Sequence, residues 1–269
     1  MSAINLSTKK HDKKMANTTK TVRNLSLELI VASDYEKMSQ LATKKIFKEI
    51  KLNPKLLISL ATGSTPTRAY DLLAEKSKKE PKIFNKVRMI GLDEWGGVPN
   101  NDPCTCLEYI MEHLTGPMNI PTKRFTSWDS DPQDPAKEVE RVTKALEKEG
   151  DIDVCILGMG VNGHLGFNEP TDSLKLKPHI AELTDTTKKH TMAQEAEHEI
   201  KYGLTLGMGE IMRSKKVILL VNGAHKVEPF KIFLSQKISA QFPASILWLH
   251  PNVTVFCDED AVPEMPIKI

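Results

Sequence analysis

Gly158-Met159-Gly160-Val161-Asn162-Gly163-His164-Leu165-Gly166-Phe167-Asn168-Glu169-Pro170 follows the apolar run Val154-Cys155-Ile156-Leu157. The run has the length and composition of a buried strand. Glycines at 158, 160, 163 and 166 let the backbone approach a ligand closely and adopt positive φ. His164 and Glu169 lie five residues apart in this loop. An imidazole beside a carboxylate is equipped for proton transfer near neutral pH. In open α/β sheets, ligands bind in loops at the carboxyl ends of parallel strands. A strand feeding such a loop therefore sets the expectation for the chain: alternating strands and helices, with the chemistry at the strand ends.

The flanking sequence repeats that pattern. Leu25 to Val31 reads as a strand. Ser33 and Glu36 then read as a capping box, opening a helix whose stripe Met38, Leu41, Ala42 and Ile46 carries it to about Ile50. Leu56 to Leu60 is a second strand. It runs into Ala61-Thr62-Gly63-Ser64-Thr65-Pro66 and a helix through Tyr70, Leu72 and Leu73. Free amides and the helix dipole favour an anion at that helix start, and Pro66 suits its first turn. The same loop is also readable as a tight turn capped by hydroxyls. It is not the GxxxxGK[ST] nucleotide loop.

Val87 to Leu92 is a third strand, delivering Asp93-Glu94-Trp95 at its carboxyl end. Asp93 there is a candidate general base, or a cap on the next turn. Thr105 to Leu114 and Pro135 to Glu149 read as helices, the latter with Val139, Val142 and Leu146 inward. Arg124 to Trp128 and His179 to Leu183 read as short strands. Thr186 to Ile200 has few apolar anchors and reads as a lid. Glu210 to Met212 is expected to be a short helix after Leu204 to Gly209. Lys216 to Val221 is a strong strand ending at Asn222-Gly223-Ala224-His225-Lys226. Lys226 falls in the first turn of a helix, where the dipole disfavours a cation, so a ligand-facing role is expected. Ala244 to His250 and Val253 to Cys257 are expected to close the sheet. The pattern predicts a single doubly wound, mostly parallel sheet of Rossmann-like α/β type.

Composition narrows the function classes. The 269 residues are 40% hydrophobic and 27% charged, which supports a full core. A net charge of +2 leaves no footprint for nucleic acid. No apolar run is long enough to span a membrane, and residues 1–24 carry no apolar signal core. That polar, lysine-rich stretch reads as a flexible tail preceding a catalytic domain over 25–269. Cys155 and Cys257 lie in apolar runs and read as buried reduced thiols, which points to the cytoplasm. Cys104 and Cys106 offer only two ligands, too few for a good metal site.

Six ordered stretches carry a resemblance: LATGSTPT from Leu60, LDEW from Leu92, LGMGVNGHLGFNEP from Leu157, LTLG from Leu204, VNGAHK from Val221 and PASILWLHPNVTVFCDE from Pro243. In order and spacing the chain resembles the glucosamine-6-phosphate deaminase/isomerase family. It looks closest to the galactosamine-6-phosphate branch, through Trp95, Asn162, Thr105 to Leu107 and the run from Pro243 to His250. The resemblance implies an amino-sugar 6-phosphate substrate, with ring opening, C2 proton removal and release of ammonia from an imine. It implies no cofactor and no metal. Residue by residue, Asp93 falls on the C2 base, His164 on the ring-opening histidine and Glu169 on its supporting carboxylate. Thr62, Gly63, Ser64 and Thr65 fall on the phosphate loop and Lys226 on the phosphate-binding lysine. Gly160 and Gly163 are expected beside the substrate. Asn162 stands where glucosamine enzymes carry a second carboxylate, and is expected to orient the histidine.

Other departures bear on regulation. His179 and Ala181 occupy positions of basic residues that bind an allosteric N-acetyl-sugar phosphate in some glucosamine enzymes, so that activation is expected to be missing. The family's lid arginine has no clear match, and His190, Lys189 and Lys201 are the available substitutes. Alternatives to galactosamine 6-phosphate are glucosamine 6-phosphate, a lactone hydrolysed as in the related 6-phosphogluconolactonases, and a non-catalytic sugar-phosphate sensor. A sensor normally carries a DNA-binding helix-turn-helix, for which 24 residues before the first strand are too few. The oligomeric state stays open, a homo-oligomer included.

Overall fold

The computed structural model describes residues 20–23 and 27–264. The expected tail over 1–24 lies outside the described residues except for its last part. In chain order the elements begin with β1 (Lys20–Arg23), β2 (Leu27–Ala32), α1 (Tyr35–Leu52), β3 (Leu57–Leu60), α2 (Ser64–Lys79) and α3 (Pro81–Phe84). Then come β4 (Arg88–Gly91), β5 (Asp93–Gly96), α4 (Cys106–Ile110), β6 (Phe125–Thr126), α5 (Pro135–Glu149) and β7 (Val154–Gly158). After these follow β8 (His179–Ala181), α6 (Asp185–Lys188), α7 (Thr191–Gln194), β9 (Tyr202–Thr205) and α8 (Met208–Arg213). The last are β10 (Val217–Val221), α9 (Val227–Leu234) and β11 (Val253–Asp258).

The main sheet runs β1-β2-β11-β10-β7-β3-β4-β6. Every pairing is parallel except that of β1, which lies antiparallel on β2. From β3 the chain steps outward through β4 and β6, then returns beside β3 as β7 and steps the other way. The order therefore reverses between β3 and β7, and such a switch point opens a crevice at the carboxyl ends of the strands.

Side chains alternate along the strands between two cores. Leu57, Cys155, Leu157, Leu219 and Val255 face α5, α8 and α9, meeting Val142, Ile211, Phe230 and Phe233. Ile58, Leu60, Ile156, Leu220 and Phe256 face α1 and α2, meeting Met38, Ile46, Tyr70 and Leu73. Burial on both faces explains why the central strands are apolar throughout rather than alternating.

Several local expectations change. Lys20–Arg23 belongs to the sheet rather than to a tail. The N-cap of α1 is Asp34, not Ser33. Asp34 Oδ1 accepts from Lys37 N at 2.7 Å, while Glu36 turns to Arg68 instead of closing a capping box. The residues after Leu92 are not simply loop. Leu92 N still pairs with Leu60 O at 3.0 Å, and Asp93 then starts β5 in a separate antiparallel sheet, β5-β9-β8. β9 has Leu204 as its one aliphatic side chain, beside Gly203, so local sequence did not mark it as a strand. Pro243–Leu249 is a 3₁₀ helix rather than a strand, opened by its proline and packed on α9 through Trp248 Nε1–H to Phe233 O at 2.7 Å. β11 does not close the sheet at an edge; it lies between β2 and β10.

Candidate active site

A cavity of about 600 Å³ opens at the switch point. The ends of β3, β4, β7 and β10 each deliver part of its wall. β3 supplies Thr62, Gly63, Ser64 and Thr65; β4 leads to Asp93; β7 leads to Gly160 and His164; β10 leads to His225 and Lys226. The lid segment roofs it with Thr186, Thr187, Lys189, His190, Thr191 and Met192.

The β3 loop is held from outside. Tyr109 Oη donates to Gly63 O at 2.9 Å and Tyr35 Oη to Ser64 O at 2.7 Å. Gly63 has φ +99°, which a side chain would strain, and caps α2 without a side-chain bond. The first amides of α2 are thus left for a ligand, and the dipole makes that ligand an anion. Lys226 reaches the same cavity from the first turn after β10. Its Nζ donates to Met159 O at 2.6 Å, and burial lowers its pKa to about 8. A cation held there without a carboxylate partner among the described residues is open to a bound anion.

Asp93 stands at the start of β5, on the cavity wall. Its Oδ1 is sealed from solvent and has no hydrogen-bond partner among the described residues. Burial raises its carboxyl to about 7, so it is a far stronger base than an exposed aspartate. The neighbouring Glu94 is spent on structure. It is buried and accepts from the amides of Trp95, Cys106 and Leu107 at 2.8, 2.7 and 2.8 Å.

His164 lies against Gly160, where a Cβ would come within 2.4 Å of its Nε2. Only glycine admits the imidazole at this place. Nδ1 faces Glu169 Oε2 at 3.4 Å and Thr187 Oγ1 at 3.3 Å. Glu169 sits behind His164, away from the main cavity. It accepts from Asn162 Nδ2 at 2.9 Å, from Thr184 Oγ1 at 3.3 Å and from Thr187 Oγ1. Burial pushes the Glu169 carboxyl up. The bonds from His164, Thr187 and Asn162 outweigh it and hold the group below its ordinary value.

Two expected contacts move. Asn162 bonds Glu169, and its Oδ1 accepts from His164 N at 3.2 Å, so it braces the carboxylate and the loop rather than the imidazole ring. Gly163 does not reach the cavity. It has φ +84°, and a Cβ there would meet the Phe242 ring at 2.4 Å, so it is glycine for the backbone and for packing. Sequence reasoning missed Thr184 and Thr187. The signal available was Thr184, just past a stretch read as a strand, with Thr187 three residues on in a segment read only as polar.

The lid is better anchored than its composition implied. Met192 and Leu183 are buried with Trp95, Phe167, Cys104 and Cys106 in a third core, with Ala196 and Ile200 packed on it. Asp102, buried, also ties this segment down, accepting from Glu197 N at 3.2 Å and pairing with His198 Nδ1 at 2.8 Å. Of the three substitutes for a lid arginine, Lys189 and His190 line the cavity. Lys201 lies elsewhere, its stem against Gly97. All four cysteines are free and buried.

Residues 33–256 match the family described as glucosamine-6-phosphate isomerases/6-phosphogluconolactonase. The chain is 36% identical over 219 residues to a protein of Escherichia coli K12 named provisionally as deaminase AgaI, covering 81% of this chain and 87% of that one. It is 36% identical over 241 residues to a glucosamine-6-phosphate deaminase of Shouchella clausii, covering 87% and 96%. A solved structure, a monomeric glucosamine-6-phosphate deaminase of the NagB superfamily, superposes with a TM-score of 0.82 at 32% identity, covering 87% and 98%. The 6-phosphogluconolactonase of Trypanosoma brucei shares the fold, with a TM-score of 0.68 at 20% identity over 87% of this chain and 96% of that one. The chain belongs to the glucosamine-6-phosphate isomerase/6-phosphogluconolactonase family.

Proposed function

We propose that the protein deaminates and isomerises an amino-sugar 6-phosphate, with galactosamine 6-phosphate as substrate and tagatose 6-phosphate and ammonia as products. The observation that carries the reading is Asp93: a carboxylate with an unpartnered, sealed oxygen, raised by burial, on the wall of the cavity that also holds His164, Lys226 and the β3 loop. Lactone hydrolysis needs a water activated by His164 but no base aimed at a C–H bond. Aldose-to-ketose isomerisation needs one.

In this reading the phosphate binds the amides of α2, the hydroxyls of Thr62, Ser64 and Thr65, and Lys226. His164 moves a proton between the ring oxygen and O1, which opens the pyranose, while Glu169 stabilises the imidazolium. Asp93 takes the C2 proton and returns it to C1, so the amine-bearing carbon becomes an imine. Water adds at C2, the C–N bond breaks with its electron pair going to nitrogen, and ammonia leaves. One water is consumed for each ammonia released. Thr184, Thr187 and Asn162 act through Glu169 and are positioning residues.

The preference for galactosamine rests on Asn162 in place of a second carboxylate and on Trp95 after Asp93-Glu94. His179 and Ala181 support the further reading that N-acetylglucosamine 6-phosphate does not activate the enzyme; a clear rise in rate on adding it would refute that. Four buried free thiols support a cytoplasmic location. The decisive experiment incubates the protein with galactosamine 6-phosphate, glucosamine 6-phosphate and 6-phosphogluconolactone, and measures ammonia, ketose and lactone loss. Ammonia from galactosamine 6-phosphate at the higher kcat/KM is expected. Ammonia from neither amino sugar sinks the reading, and a preference for glucosamine 6-phosphate sinks the epimer assignment.

A further inference from the structure

We propose that His190 donates a hydrogen bond from Nε2 to the substrate's phosphate, in the cavity that Lys226 also lines. The inference rests on the sugar-phosphate reading of the cavity and adds a ligand to it. The geometry of the ring carries it. His190 is the N-cap of α7, and its Nδ1 accepts from Met192 N at 3.3 Å. A nitrogen that accepts has no proton, so the neutral ring carries its hydrogen on Nε2. The Cε1–Nε2 edge leans over the start of α2: a Cβ on Gly63 would lie 3.6 Å from Cε1 and 3.7 Å from Nε2. Among the described residues Nε2 has no hydrogen-bond partner, and the ring lines the cavity. The Trp95 ring, with its centroid 6.3 Å away, backs the imidazole and limits where it can swing.

The charges around His190 agree with an anion between it and Lys226. Burial lowers its pKa, and the positive charges of His164 and Lys226 lower it further. In the free protein the ring is therefore a neutral donor beside cationic neighbours. A phosphate drawn to those neighbours would also gain the Nε2–H. Lys189 also lines the cavity, but its side chain is exposed, and a solvated ammonium loses more on being fixed than a ring already held at Nδ1.

The test compares wild type, His190→Ala and His190→Gln, reading KM and kcat with galactosamine 6-phosphate and the affinity for inorganic phosphate by calorimetry. Melting temperatures are recorded alongside, to exclude unfolding. His190→Ala is expected to raise KM and weaken phosphate binding together by about tenfold or more, with kcat within about threefold, the pattern of a lost ground-state hydrogen bond. His190→Gln, which keeps an N–H, should recover part of the loss. KM and phosphate affinity unchanged in His190→Ala would overturn the proposal, and so would a fall in kcat alone. Should the wild type release no ammonia, the deaminase reading fails while the phosphate arm still decides the role of His190. Wild type that binds no phosphate overturns it.

Discussion

Two glycines of the His164 loop serve different ends, and alanine separates them. At Gly160 a methyl group collides with the His164 ring. Gly160→Ala should leave the melting temperature nearly unchanged and lower kcat roughly a hundredfold, the cost of displacing a reacting group by about 1 Å. At Gly163 the methyl group meets Phe242 and the backbone is at φ +84°. Gly163→Ala should instead destabilise by about 1–3 kcal/mol, seen in chemical denaturation, with kcat of the folded fraction preserved. Asp93 gives a pH-dependent case. Its folded-state value of about 7 lies above the ordinary 3.8, so ionisation is harder in the folded chain than in the unfolded one. Stability is therefore lost as pH rises from about 3.8 to about 7, and the deficit persists above. Asp93→Asn should abolish C2 proton exchange and yet melt a few degrees above wild type at pH 8, with the gap closing near pH 4. Equal melting temperatures at pH 8 would show that the carboxylate is not held under strain.

Among the elements, the segment from α6 to α7 reaches both the Glu169 carboxylate and the β3 loop. Its N-cap Thr184 and its Thr187 bond Glu169, while His190 overhangs the β3 loop. One segment thus touches both the carboxylate behind His164 and the β3 loop. Thr187→Val keeps the volume and removes the hydroxyl, leaving a buried carboxylate oxygen short of a donor. Steady-state kinetics should show kcat reduced by about tenfold with KM nearly constant, and Thr187→Ser should restore it. A variant that changed KM alone would place Thr187 in binding rather than in positioning Glu169. This element was also where local sequence said least. Its apolar anchors, Met192, Ala196 and Ile200, have a helical spacing that the backbone does not follow beyond Gln194, and they find cover only because Trp95 and Phe167 arrive from distant parts of the chain. The same holds for β5 and β9, whose pairing of Asp93 with Thr205 joins residues remote in the chain.

For the whole molecule, the reversal of strand order between β3 and β7 places four strand ends around one cavity. A ligand that bridges them should stabilise the fold as a unit. Saturating tagatose 6-phosphate at about 100 times its Kd should add about 2.7 kcal/mol, raising the melting temperature by roughly 5–10 °C for a chain of this size. Unphosphorylated tagatose at the same concentration should give little, because the amides of α2 and Lys226 would lack their anion. Equal shifts from both sugars would refute the phosphate assignment.

The sequence by itself determined the alternating architecture, the strand ends bearing Asp93, His164 and Lys226, and the glycine-rich turns. These rest on local physics: two-face burial of short apolar runs, helical periodicity, and backbone positions that only glycine fills easily. It went astray where a choice depends on what packs against a segment. Ser33 lost its cap to the neighbouring aspartate, and the apolar run from Pro243 became a 3₁₀ helix on α9. The tertiary structure alone decided that Gly163 serves packing, that Asn162 braces Glu169, that Thr184 and Thr187 complete the carboxylate's bonds, and that His190 rather than Lys201 faces the β3 loop. Each is a contact between residues far apart in the chain or turned by a neighbouring fold element. No periodicity or spacing encodes such a contact, because its energy exists only once the two surfaces meet.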